Sequence, residues 1–187
     1  MKKIIVASDL HGSYSAWKKA EKYFLESDLI LISGDILYHG ARNPLTDGYN
    51  TSELSQELND SDYNIMMVKG NVDSLVDDWV LPYPLPEYAL IDRDGLRIVM
   101  YHGHQHKSEE ERIEFAKRFS ADILIFGHTH KPTLKKEKGV ILLNPGSLSL
   151  PKQKPPVASI AEIEDGEIKI RELDTGDIIS SMEVSNE

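Results

Sequence analysis

Short apolar runs recur along the chain, and each ends in a polar cluster. Ile4–Ala7 leads into Asp9, Leu29–Ile32 into Gly34 and Asp35, and the run 65–68 into Gly70 and Asn71. Further on, 98–101 leads into His102, and 123–126 into Gly127 and His128. Runs this short, and this rich in Ile and Val, predict fully buried strands rather than helices. Between them the period changes. Over 13–26, Trp17, Ala20 and Phe24 fall on one helical face. Ser108-Glu109-Glu110-Glu111 has the form of a capping box, followed by Ile113, Ala116 and Phe119. Strand–helix alternation predicts an α/β architecture.

The second half departs from that rhythm. Asp94-Gly95 separates YALID from LRIVMY, Lys138-Gly139 separates TLKKE from VILLN, and Asp165-Gly166 separates ASIAEIE from EIKIREL. Asp-Gly between strand-like runs is a strong hairpin signal, and Lys-Gly a weaker one. Antiparallel pairs are therefore expected, in two packed sheets rather than a pure doubly wound fold. The proline-dense PKQKPP at 151–156 reads as a loop before a final hairpin. No solenoid-length repeat, low-complexity tract or linker is visible, so 187 residues predict one domain, 1–187, with a substantial core.

Composition narrows the chemistry. A net charge of -10 argues against broad binding to nucleic acid, which needs a positive surface. It does not exclude a small anionic substrate, because bound cations invert a local field. With no cysteine, disulfides, thiolate metal sites and cysteine nucleophiles are excluded. The stretch MKKIIVASDLHG has too short an apolar segment for a secretory signal, and no run approaches a membrane span. A cytoplasmic protein is expected.

In open α/β sheets, ligands bind beyond the carboxyl ends of the strands, where the polar clusters fall. Each cluster alone has an ordinary reading. Asp9 or Asp35 could cap a helix or turn, and Asn71 could sit in a left-handed turn after Gly70. A lone histidine is commonly just a satisfied polar residue. Five clusters at the same end of five strands point instead to a shared site. Carboxylate, imidazole and amide oxygen suit Mn, Fe, Zn, Co or Ni. Asp9-x-His11 and His128-x-His130 would each point both members to one side if the chain is locally extended.

Asp9-Leu-His11, Gly34-Asp35, Gly70-Asn71-x-Asp73, His102-Gly103-His104 and Gly127-His128-Thr129-His130 follow in that order. With GDILYHGARN and NPGSLSLPK, they resemble the motifs of the calcineurin-like metallophosphoesterases from about residue 3 to about residue 160. The resemblance implies a four-layer α/β/β/α sandwich of two mixed β-sheets flanked by helices. It implies that Asp9, His11 and His130 bind one divalent metal ion, that Asn71, His102 and His128 bind a second, and that Asp35 bridges them. Mn²⁺ is expected first, with Fe, Zn, Ni and Co as alternatives. The implied function is a phosphodiesterase of small substrates, in which a metal-bound hydroxide attacks phosphorus in line. A phosphomonoesterase or nuclease of the same fold is the alternative, and the acidic charge disfavours the nuclease. The fold also serves as a non-catalytic scaffold in membrane-trafficking complexes, but a scaffold has no need of all seven ligands.

Around this set, Asp35, Asn71, Asp73 and His104 are the catalytic candidates. Asp73 is expected to accept a hydrogen bond from a ligand imidazole or His104, or else to cap a helix. His104 is a phosphate contact or simply exposed. His39 and Arg42, in the loop after Gly34-Asp35, are candidate substrate contacts, against a solvated loop. His106 is expected at the surface, and Asn144-Pro145-Gly146-Ser147 as a rigid structural turn. Many family members have a histidine after Gly-Asn, placed as general acid; here the residue is Val72, which predicts slow release of poor leaving groups. The expected partner is a small phosphodiester, without membrane or strong nucleic-acid binding; a homo-oligomer stays open.

Overall fold

The computed structural model describes residues 3–184, so the first two and last three residues of the single-domain reading 1–187 lie outside it. The five apolar runs are strands. They are β1 (Ile4–Ala7), β2 (Leu29–Ile32), β3 (Ile65–Met67), β5 (Leu96–Tyr101) and β6 (Ile123–Ile125). The proposed hairpins supply β4 (Tyr88–Arg93) before β5, β7 (Thr133–Glu137) with β8 (Val140–Asn144), and β9 (Ser159–Glu164) with β10 (Glu167–Glu172). The helices are α1 (Tyr14–Phe24), α2 (Thr51–Asp60), α3 (Asp77–Val80) and α4 (Glu109–Arg118), and β11 (Ile178–Glu183) closes the described chain.

Two mixed sheets result. One runs β11-β10-β9-β1-β2-β3 and the other β4-β5-β6-β8-β7. Strand alternation builds the layers. Ile4 and Val6 of β1 face the inter-sheet core with Ile98, Met100, Ile123 and Ile125 of the second sheet. Ile5 and Ala7, one residue out of phase, pack on Trp17, Ala20 and Phe24 of α1 and on Leu54 and Leu58 of α2. On the far side Val99, Tyr101 and Leu124 meet Ile113 and Ala116 of α4. The fold is the expected four-layer α/β/β/α sandwich.

Local chemistry explains the ends of these elements. Ser13 Oγ accepts from the Ala16 N–H at the start of α1, and both halves of the Ser108–Glu111 capping box form at the start of α4. Asp94, Lys138 and Asp165 have φ near +50° and each precedes a glycine with positive φ, as two-residue hairpin turns require. Three elements were not foreseen. α2 buries only Leu54 and Leu58, and the short α3 buries only Asp77. β11 is half-exposed and extends the expected final hairpin into three antiparallel strands.

Candidate metal centre

The loops after β1 and β2 lie side by side. Asp9 N–H donates to Gly34 O at 3.1 Å, His11 N–H to Asp35 O at 2.9 Å, and Gly12 N–H to Ile36 O at 2.8 Å. The chain here is not extended, contrary to the expectation for both x-spaced pairs. Asp9, His11, Asp35, His128 and His130 all have left-handed backbone, with φ between +47° and +65°. That conformation costs roughly 1–2 kcal/mol per non-glycine residue, so packing must impose it. Asn71, for which a left-handed turn was the ordinary alternative to a ligand role, is not among the positive-φ residues. Its neighbour Gly70 is required for close approach: a Cβ there would lie 2.1 Å from Asp35 Oδ1.

Asp9, His11, Asp35 and His130 are buried and offer ligand atoms all within 4.8 Å of one another. His130 Nε2 lies 3.2 Å from Asp9 Oδ1, and His11 Nε2 lies 3.3 Å from His130 Nε2 and 3.7 Å from Asp35 Oδ2. A second cluster adjoins it. His102 Nε2 is 3.3 Å from the same Asp35 Oδ2 and 3.1 Å from Asn71 Oδ1, while His128 Nδ1 is 2.6 Å from Asn71 Oδ1. Asp35 therefore stands between the two clusters.

Backbone carbonyls decide which ring nitrogens face inward. His11 Nδ1 meets Tyr38 O at 3.1 Å, His130 Nδ1 meets Leu150 O at 2.6 Å, and His102 Nδ1 meets Ser33 O at 2.7 Å. A carbonyl only accepts, so each Nδ1 carries its proton. In neutral His11 and His130, Nε2 is then a lone pair aimed at the cluster. Asp9 Oδ1, buried beside them, has no hydrogen-bond donor. Two imidazole nitrogens and an unpartnered carboxylate oxygen converging on one point are the donor set a cation completes, so these residues fit a divalent metal ion.

Burial keeps two of the site's imidazoles ready to ligate. Burial pushes His130 down to about 3 and His128 down to about 4, the latter helped by the charge of His102, so both are neutral near pH 7. Burial pushes Asp9 up to about 7. Burial also opposes ionisation of Asp35 and His102, but their hydrogen bond and mutual attraction prevail, holding Asp35 down and His102 up.

Asp73 meets neither expectation. It neither caps a helix nor touches an imidazole. Its carboxylate accepts from the backbone N–H groups of Asp35 (2.8 Å), Ile36 (2.7 Å) and Gly70 (2.7 Å), which ties the β2 loop to the β3 loop. Asn144 ties two loops within the second sheet, and Ser147 ties the second sheet to the first. Asn144 Nδ2 donates to Gly127 O at 2.7 Å, and Ser147 Oγ donates to Asp9 O at 2.8 Å.

The outer candidates separate. His104 is half-buried, its ring 5.6 Å from His102 and 6.1 Å from His128, with Nδ1 buried and unpartnered. His39 packs its ring on Tyr38 and Tyr49 and is not among the residues lining the cleft, although its neighbours Tyr38 and Gly40 are. Arg42 does line that cleft, with Asn71, Val72, His128, His130 and a residue the motifs did not single out, Lys152. His106 is not a free surface residue; its ring packs on Tyr101 and Phe115.

This geometry has relatives. The family model for the calcineurin-like phosphoesterase superfamily domain matches residues 1–166. The chain belongs to the calcineurin-like phosphoesterase superfamily. Phosphodiesterase YfcE of Escherichia coli is 31% identical over 190 aligned residues, spanning 99% of this chain and all of that one. The solved structure of that phosphoesterase superposes with a TM-score of 0.85 at 28% identity, covering 98% of this chain and 100% of the other. A probable metallophosphoesterase of Mycoplasma pneumoniae is 26% identical, over 81% of this chain and 82% of its own. Vps29 from Entamoeba histolytica, solved in complex with Zn²⁺, shares the superfamily fold at 22% identity, with a TM-score of 0.69 over 98% of this chain and 99% of its own.

Proposed function

We propose that this superfamily member is a single-domain phosphodiesterase of small substrates with a dinuclear metal centre. The carrying observation is the inward-facing set of His11 Nε2, His130 Nε2 and Asp9 Oδ1, with carbonyls fixing the rings from behind and no protein hydrogen-bond partner at Asp9 Oδ1. In the proposed assignment Asp9, His11 and His130 hold one divalent cation, Asn71, His102 and His128 hold the second, and Asp35 lies between them. Such a pair supplies an activated water and offsets charge on phosphoryl oxygens. The protein's own part is positioning. Asp73 holds the Asp35 and Gly70 backbones in register, and Ser147 holds the Asp9 loop against the second sheet. Asn71 and His128 border the open cleft, where a phosphoryl group can reach them.

Val72 lines the same cleft but has no proton to give, so good leaving groups should be favoured. The test is hydrolysis of bis-p-nitrophenyl phosphate with Mn²⁺ added, then with exhaustive chelation. Chelation should abolish turnover, and Mn²⁺, or one of Fe, Zn, Ni and Co, should restore it. Undiminished turnover by protein shown by elemental analysis to be metal-free would refute the proposal.

A further inference from the structure

The cleft over the metal centre is about 760 Å³, far larger than a single phosphate needs and within the range of organic ligand sites. Asp35 is the one carboxylate among its lining residues, and it belongs to the metal site. Two cations reach the cleft from separate loops: Arg42 after β2 and Lys152 after β8. Both are exposed, and neither has a carboxylate partner among the described residues. Some surface cations elsewhere pair with acids. Lys135 pairs with Glu109, Arg97 with Asp92 at 2.7 Å, and Arg171 with Glu162 at 2.6 Å. What sets Arg42 and Lys152 apart is that they reach one cleft whose single carboxylate, Asp35, is committed to the metal site, which leaves room there for an anion from outside.

Lys152 is held in place. Its backbone N–H donates to His130 O at 3.0 Å, and the preceding residues are anchored by Ser147 Oγ, which accepts from Ser149 and Leu150 N–H at 3.2 and 2.8 Å. The scissile group does not require these cations. Two divalent ions less the Asp9 and Asp35 carboxylates leave about two positive charges, which an ionised water and a monoanionic diester neutralise. Arg42 and Lys152 then remain as two charges without a counterpart.

We infer that Arg42 and Lys152 form a clamp for a second, dianionic group, so that the preferred substrates are phosphodiesters that also carry a terminal phosphomonoester. A guanidinium fork and a mobile ammonium together match such a phosphate. The inference rests on the phosphodiesterase reading and specifies its substrate class.

Two measurements test it separately from that reading. The first compares the p-nitrophenyl ester of thymidine 5′-phosphate with the same ester bearing a 3′-phosphate, so the leaving group is constant. The second measures, by calorimetry on Mn²⁺-loaded protein, the Kd of thymidine 3′,5′-bisphosphate against thymidine 5′-phosphate. The extra phosphate should raise kcat/KM and tighten Kd by on the order of tenfold. In the Arg42→Ala/Lys152→Ala double variant both ratios should fall to within about threefold, and Arg42→Lys with Lys152→Arg should recover most of the gap. If neither ester is cleaved, the phosphodiesterase reading fails, while the calorimetric ratio still decides the clamp. Equal affinities for the two nucleotides, or a ratio that survives the double variant, overturn it.

Discussion

Left-handed backbone appears in two kinds of place. At the tips of three hairpins, Asp94, Lys138 and Asp165 adopt it, each followed by a glycine. At the metal centre Asp9, His11, Asp35, His128 and His130 adopt it, and only His11 is followed by one. The hairpin turns are local: nothing approaches within 4 Å of where a Cβ would sit at Gly95, Gly139 or Gly166. The site residues are mostly buried and are held by remote partners. Asp9 N–H and His11 N–H bond to the β2 loop, and His128 N–H donates to Asp9 Oδ2 at 3.2 Å across the sheets. The same unfavourable dihedral is thus chosen by neighbouring residues in one region and imposed by distant ones in the other. Strain in the second region should depend on the whole fold.

The largest effect expected is on chemistry. Asp35→Asn removes the negative charge placed between the clusters, and kcat/KM should fall at least ~10²-fold with the fold intact. Near-normal kcat/KM would show that Asp35 does not have the bridging role.

Next comes the tether. Asp73→Ala leaves three buried backbone N–H groups without their acceptor. At roughly 1–3 kcal/mol each, the loss should exceed about 3 kcal/mol. That corresponds to a fall in Tm of roughly 6–12 °C, with activity lost in parallel. A variant with normal Tm and activity would mean that the left-handed Asp35 loop holds itself.

A third change separates function from stability. Asp9 is buried with Oδ1 unpartnered, and its pKa is raised to about 7. A raised carboxyl pKa favours the protonated form in the fold. The stability it gives is present at low pH and lost as pH climbs from the ordinary carboxyl range through 7. In chelator at pH 8, Asp9→Asn should therefore raise Tm by a few degrees, while at pH 4 the gain should vanish. With metal added the order should reverse, because only the original protein gains binding energy. Thermal scans in the four conditions check this, and a gain that is independent of pH would contradict it.

The smallest effect belongs to the hairpins. Lys138→Asn places a residue tolerant of φ near +50° at a turn and removes only an exposed pair with Glu110. Stability should shift by less than ~1 kcal/mol, and kcat/KM should not move. A large loss of activity would show that turn and site are coupled after all.

The same division explains what could be read in the sequence. Short Ile/Val-rich runs and Asp-Gly turns leave local signatures, so β1, β2, β5, β6 and the hairpins are legible, as is β3, although it is a half-buried edge strand and not the fully buried one expected. The α2 segment offers two apolar residues in ten, too few for a helical stripe to stand out. Motif spacing brought out the residues of both clusters, yet the extended geometry assumed for Asp9-x-His11 and His128-x-His130 was wrong. Nothing adjacent in the chain reveals that Gly34 O, Asp35 O and Asp9 Oδ2 hold those backbones. Asp73 was identified as a supporting residue with the wrong partners for the same reason: its donors are backbone amides on two separate loops. Lys152 could have been noticed at the end of NPGSLSLPK, as a cation fixed just past an ordered turn.

His102 donates its Nδ1–H to Ser33 O, and Ser147 Oγ donates to Asp9 O, so two loops of the second sheet fasten to two loops of the first. Both proposed ligand clusters likewise draw on both sheets. His130 joins Asp9, His11 and Asp35, while His102 and His128 join Asn71. Away from these clusters, the interface among the described residues is made mainly of interlocked apolar side chains. Ion loading would act as a rivet at one rim of a two-leaf stack. Amides near both sets of strand ends, including those after β1 and β6, should slow their hydrogen exchange together when metal is added. The far rim, held mainly by packing, should breathe much as before.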